Sequence, residues 1–203
     1  MSEHLVVIEG LELPARLGGH PALDFCNTFT GWDGADRWDF LTGYDALVVW
    51  AGYSRLLSAD RVRGLRARAA HHPASATRVV SRVPDVRRRL YAALRDPDDA
   101  GALERLAPDV AAATAHLRLS AGDGTPAWEI DERAGLTAPL HVALWSAAQL
   151  VTSDQRRRVR ACPGTGCGWL FLDRSGRRRW CTMATCGNRA KARRFARRHR
   201  EPR

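Results

Sequence analysis

The sequence predicts a mainly α-helical fold in two unequal parts. A helical N-terminal domain with a small β-hairpin spans residues 1–155, and a small C-terminal module of hairpin plus helix spans residues 156–203. Three observations predict it. Apolar residues recur at helical spacing through most of the first 155 positions, the periodicity switches to alternation around residues 116–130, and the charge divides sharply near residue 155. Residues 1–155 hold 16 Arg against 20 Asp plus Glu, a net −4, whereas residues 156–203 hold 15 Arg and one Lys against Asp173 and Glu201, a net +14. At 203 residues the chain can bury one medium core, with an appendage too small to bury its own.

Leu5 to Leu13 alternates weakly and reads as a short strand or an extended arm, followed by a loop from Pro14 to Pro21. Leu23, Phe25, Cys26 and Phe29 share a short helical face that Gly31 and Gly34 bring to an end. Asp45 to Leu57 is spaced for a buried helix, and Ser58 is placed to cap the next one, in which Val62, Leu65 and Ala69 recur. Ala76 to Leu94 is helical, with Pro84 either kinking it or starting a new helix, and Asp98 to Ala115 is a further, alanine-rich helix. His116 to Leu119 and Ala127 to Ile130 flank the turn residues Gly122-Asp123-Gly124 as a hairpin. Pro139 opens an apolar helix, Leu140 to Val151, expected to run through the middle of the domain. Ser153 to Arg158 is the expected boundary.

Four of the five cysteines lie beyond that boundary, as Cys162-x4-Cys167 and Cys181-x4-Cys186 with thirteen residues between the pairs. Zinc takes four thiolates at tetrahedral corners, and two short loops can each supply a pair. Pro163, Gly164 and Gly166 let the first loop turn sharply. One structural zinc ion held by Cys162, Cys167, Cys181 and Cys186 is expected; four protein ligands leave no open position for catalysis. Trp169 to Asp173 and Arg177 to Trp180 read as two strands of a hairpin that brings the pairs together. Phe195 and Met183, with Trp169 or Trp180, are expected to form a very small core. Cys26, in an apolar run, reads as a buried small hydrophobe.

Residues 161–198 closely resemble the CGNR zinc-finger family. The likeness rests on the paired cysteine loops, the Trp-Leu-Phe-Leu-Asp strand, the Arg-Arg-Trp-Cys-Thr-Met segment and the Cys186-Gly187-Asn188-Arg189 tetrapeptide that opens a basic helix. The Leu23-Asp24-Phe25-x-Asn27-Thr28 run resembles the entry of the ABATE domain that precedes such fingers. The resemblance implies a small treble-clef or ribbon-like finger and a stress-induced transcription regulator.

The residues themselves point to nucleic acid as partner, because a dense basic patch neutralises phosphates. The candidate contacts are Arg177, Arg178, Arg179, Arg189, Lys191, Arg193, Arg194, Arg197, Arg198 and Arg200. DNA is the expected partner and RNA the alternative. A membrane is not expected, since the tail lacks a lengthy apolar face and no apolar run approaches the ~20 residues of a span. Met1 to Glu12 interleaves acids with short aliphatics, unlike a signal peptide, so a cytoplasmic location is expected. A single finger supplies little specificity, so a homodimer through residues 1–155 is expected.

Residues 1–155 carry no nucleophile motif, phosphate-cradling glycine loop or paired-carboxylate constellation, which argues against an enzyme. The alternative is a small-molecule-processing domain tethered by the finger. His20, Asp24, Asn27, Trp50 and His141 are the polar or amphipathic groups that could line a pocket for an effector; each could equally be a satisfied core group or a cap. Cut from the finger, residues 1–155 are expected to keep their fold.

Overall fold

The computed structural model describes residues 4–121 and 125–198, the Arg198 side chain excepted. The chain opens with a hairpin, β1 (Leu5–Ile8) against β2 (Leu11–Pro14), turned by Glu9 and Gly10. A loop leads to α1 (Pro21–Cys26), which His20 caps by accepting the Ala22 N–H at 3.3 Å. Next, β3 (Phe29–Thr30) pairs with β4 (Trp38–Asp39). Two-residue strands are too short to show alternation, so this second hairpin left no sequence signal.

The helices follow where periodicity placed them: α2 (Tyr44–Tyr53), α3 (Ala59–His71), α4 (Pro73–Arg95) and α5 (Ala100–Thr114). The Ser58 hydroxyl caps α3 by accepting the Arg61 N–H at 3.3 Å. Helix α4 runs through Pro84 without restarting. Pro84 is exposed, so water can serve the carbonyl that its ring deprives of a donor.

Strands β5 (Leu117–Ser120) and β6 (Ala127–Ile130) form the expected hairpin, with Leu119 opposite Trp128; its turn, residues 122–124, lies outside the described residues. A 3-10 segment, Glu132–Thr137, then delivers α6 (Ala138–Val151). Helix α6 packs against α1, α2, α4 and α5, and Leu140, Ala143, Leu144 and Ala147 are all but inaccessible. An all-round apolar helix is thus the central one, as its composition demands.

One buried charge organises the side of this helical body that faces the C-terminal module. Arg87 of α4, 2% exposed, donates to Thr28 Oγ1 at 2.8 Å, pairs with Asp39, and lies over the Phe29 ring. It ties the β3–β4 hairpin to α4, and the loop of that hairpin reaches the cysteines.

The C-terminal module is a 3-10 turn, Asp154–Arg158, then β7 (Val159–Ala161), β8 (Leu170–Leu172), a π-helical turn Met183–Gly187, and α7 (Asn188–Arg198). Strand β8 pairs with β7, Ala161 opposite Leu170, and not with residues 177–180, which are irregular. The expected return strand is therefore replaced by one preceding Cys162. The hairpin encloses the first cysteine pair instead of linking the two pairs, and β7 begins directly after the expected boundary segment, Ser153 to Arg158. Val159, Leu170 and Leu172 join the core of the helical body. Trp169, Phe171 and the buried cysteines form a second cluster with Leu17, Trp32 and Trp180 beside them. Phe195 and Met183, expected in that cluster, are 65% and 49% exposed; the body supplies the apolar surface they were expected to provide.

Candidate metal centre and nucleic-acid interface

The first cysteine pair sits in the knuckle between β7 and β8. The Cys162 N–H donates to the Trp169 carbonyl at 2.8 Å, and the Cys167 N–H to the Gly164 carbonyl at 2.9 Å. A Cβ on Gly164 would stand 2.8 Å from the Cys186 sulfur, so this loop closes only around glycine. The second pair spans the π-helical turn, where the Thr182 hydroxyl accepts the Ala184 N–H at 3.2 Å. A Cβ on Gly187 would lie 2.4 Å from the Met183 sulfur. Asn188 Nδ2 donates to the Ala184 carbonyl at 3.2 Å, bracing the same turn. In Cys186-Gly187-Asn188, therefore, one residue supplies a sulfur, the next clears Met183, and the third fixes the entry to α7.

The four sulfurs lie within 4.8 Å of one another, with Cys167 to Cys181 at 3.7 Å and Cys181 to Cys186 at 3.6 Å. A tetrahedral zinc with Zn–S bonds of about 2.3 Å sets its sulfurs roughly 3.8 Å apart. The cluster fits one zinc ion, with Cys162, Cys167, Cys181 and Cys186 as its ligands. Left to share protons among themselves, the thiols would ionise unequally: hydrogen bonds with Cys167, Cys181 and Cys186 hold Cys162 down, and those around Cys181 hold it up. A divalent cation stabilises all four as thiolates at once. Its chemistry here is structural, closing two loops into one finger.

The finger is bolted to the helical body through backbone groups. Asn27, wholly buried, donates from Nδ2 to the Leu170 carbonyl at 2.9 Å and accepts the Leu170 N–H on Oδ1 at 2.8 Å, so its amide stands in for a neighbouring strand along β8. The Tyr91 hydroxyl donates to the Gly168 carbonyl at 2.7 Å, and Trp169 Nε1 to the Phe29 carbonyl at 3.0 Å. The Leu172 N–H donates to the Gly18 carbonyl at 2.8 Å. A Cβ on Gly168 would fall 2.6 Å from that of Trp32, whose ring stacks on Tyr91 at 3.8 Å.

A four-thiolate finger mounted on a mainly helical body is the class that this fold and site define. The chain belongs to the ABATE family: the model described as "Putative stress-induced transcription regulator" matches residues 19–154. The CGNR zinc-finger model matches residues 158–199, the segment that carries the four sulfurs. No curated protein matches the chain.

The basic residues divide by environment. Arg177 and Arg179 are exposed, whereas Arg178 between them turns inward. Its guanidinium donates to the carbonyls of Leu17, Trp180 and Cys181 and lies 4.5 Å from the Phe171 ring centroid. Arg178 thus locks the finger to the body and is withdrawn from the candidate contact surface. On α7, Arg189, Arg193, Arg194 and Arg197 are exposed, as is Lys191, and among the described residues none of these makes an ion pair. Arg200 and the side chain of Arg198 lie outside the described residues.

The five pocket candidates do not converge. His20 caps α1, and Asp24 accepts the Gly18 N–H at 2.7 Å. Burial pushes the Asp24 carboxyl up to about 7, against the pull of that hydrogen bond and of Arg16 and Arg178. Asn27 holds β8, and Trp50 packs in the core 5.1 Å from Phe25. His141 is buried beside Thr137 and stacked on His116 at 5.0 Å; burial, then His116 and Arg82, push it down to about 4. Cys26 is fully buried, and burial holds its thiol protonated. Sequence reading missed Tyr91, Arg178 and the 31–36 loop as parts of the finger mount, because each acts on residues distant in the chain.

Proposed function

We propose that the chain is a zinc-dependent transcription regulator that contacts DNA through the finger, residues 156–203, while residues 1–155 form a non-enzymatic domain that holds the finger and receives a signal. One observation carries the reading. The metal-braced turn launches a helix whose exposed arginines have no acidic partners among the described residues, whereas Arg66, Arg87, Arg88, Arg89 and Arg95 of the helical body each pair with a carboxylate. Helix α7, at 11 residues, is about 16 Å long, enough to lie across several phosphates. No helix among the described residues is long and apolar enough to cross a membrane, and the family description speaks of transcription.

The test is fluorescence anisotropy of the zinc-loaded chain on duplex DNA over a salt series. If about five to eight phosphates are engaged, affinity falls a hundredfold or more between about 50 and 200 mM salt. The triple variant Arg193→Ala, Arg194→Ala, Arg197→Ala lowers the magnitude of the salt slope by about three. A salt-independent affinity, or a slope the triple variant leaves unchanged, sinks the reading. Tighter binding to structured RNA than to any duplex in a competition assay moves the partner to RNA.

A further inference from the structure

We propose that the helical body carries a second anion site, distinct from the finger: a cleft for a small molecule bearing two or more linked phosphates. The cleft, about 550 Å³, lies where α3, the first turns of α4 and the 3-10 segment before α6 meet. Arg68, Arg78, Arg82 and Arg133 line it, together with His72 and the hydroxyl residues Ser75 and Thr137. No acid is among its lining residues, although residues 1–155 have more acids than arginines.

That departure from the rest of the body is the main ground. Elsewhere on α3 and α4 the arginines meet carboxylates, Arg61 excepted, which donates to the Ile130 and Asp131 carbonyls: Arg63 pairs with Asp60, Arg66 with Glu9 and Asp45, Arg87 with Asp39, Arg88 with Asp85, Arg89 with Asp109, and Arg95 with Asp33. At the cleft, Arg68 and Arg82 have no ion pair among the described residues, and Arg78 donates only to the neutral Ser75 hydroxyl at 2.7 Å. Arg133 reaches Asp131 only at 4.0 Å, with its side chain 91% exposed. Four cations from three segments repel one another across a shared concavity, and a bound polyanion removes that cost.

The geometry indicates the ligand class. Arg78 and Arg82 are one helical turn apart on α4 and present adjacent forks. Arg68 faces them from α3 beside Gly135, whose Cβ position would lie 3.6 Å from its guanidinium carbon; at φ +52° that turn favours glycine. A guanidinium grips one phosphate bidentately, so four exceed the needs of a single orthophosphate and suit a di- or triphosphate. The volume lies in the range of small-molecule sites, and Val79, Ala134 and Leu136 add an apolar side to the lining.

Calorimetric titration of the full, zinc-loaded chain with orthophosphate, pyrophosphate and tripolyphosphate at matched ionic strength tests this. Tripolyphosphate is expected to bind at least about tenfold tighter than orthophosphate, because linked charges engage several forks at once. The double variant Arg78→Ala, Arg82→Ala should weaken tripolyphosphate at least about tenfold while leaving duplex DNA affinity unchanged; both side chains are exposed, so its thermal midpoint should stay near that of the parent. Arg78→Lys, Arg82→Lys, which keeps the charge and loses the fork, should fall between the two. The proposal is overturned if the double alanine variant binds tripolyphosphate like the parent, or if the loss appears instead in the Arg193, Arg194, Arg197 variant. Equal loss of DNA and tripolyphosphate affinity in the cleft variant also overturns it, since the cleft would then be a DNA contact.

Discussion

Replacing Cys181 by serine is expected to abolish stoichiometric zinc binding and to unfold the finger. Zinc supplies on the order of 10–16 kcal/mol of folding free energy to comparable small fingers, and a hydroxyl is a poor substitute for a thiolate on this ion. The effect should spread further than in a finger on a flexible tether. Val159, Leu170 and Leu172 belong to the main core, and Asn27, Tyr91 and the Phe29 carbonyl spend their hydrogen bonds on the finger. Losing the metal should therefore lower the thermal midpoint of the helical body along with that of the finger. Metal content by atomic absorption and a single cooperative calorimetric transition shifted downward would agree. A body transition that stays in place while the finger melts would show that the two are not coupled.

The second large effect is that residues 1–155 alone should be much less stable than the full chain. Truncation strips the cover from α1 and α4 and leaves the fully buried amide of Asn27 without either Leu170 partner. Unsatisfied buried polar groups cost about 1–3 kcal/mol each, and each large apolar side chain no longer buried adds about 1.5–3 kcal/mol. A loss of more than about 3 kcal/mol is expected in denaturant melts. The milder change Asn27→Leu in the full chain, which leaves both backbone groups of Leu170 unpaired, should cost about 2–4 kcal/mol. If the truncated body unfolds at the same denaturant concentration as the intact chain, the finger is an appendage after all. This expectation reverses the one drawn from the sequence, where the charge break near residue 155 suggested separable parts.

The reason for that reversal marks what the sequence could and could not convey. The ligand set was legible because Cys-x4-Cys is a local pattern whose chemistry is fixed by zinc. The helices were legible because α3, α4 and α6 carry their periodicity within a few turns, and Ser58 announced the start of α3. Contacts of long sequence separation were not. Asn27 and Leu170 are 143 residues apart, and nothing in either segment names the other. Asn27 is a polar residue in an apolar run, a pattern shared by pocket residues and by satisfied core groups; its partner is a strand backbone. Arg178 is, in sequence, one more member of a basic run, because sequence does not distinguish an arginine that faces water from its neighbour that turns in to bind three carbonyls. Strand β7 has three residues, Val-Arg-Ala, too few for any pattern. The arginine cleft was hidden for the same reason as the mount: Arg68, Arg78 and Arg133 come together only in the fold.

The central claim is that zinc, by fixing the turn at Cys181 to Gly187, presents the arginines of α7 to DNA. Measuring duplex DNA affinity and its salt slope while a chelator withdraws zinc in steps, with metal content read on the same samples, addresses it most directly. The account predicts that high-affinity, strongly salt-dependent binding declines in proportion to the zinc lost and returns when zinc is restored. Metal-free protein that binds DNA with the same affinity and the same salt slope would contradict it.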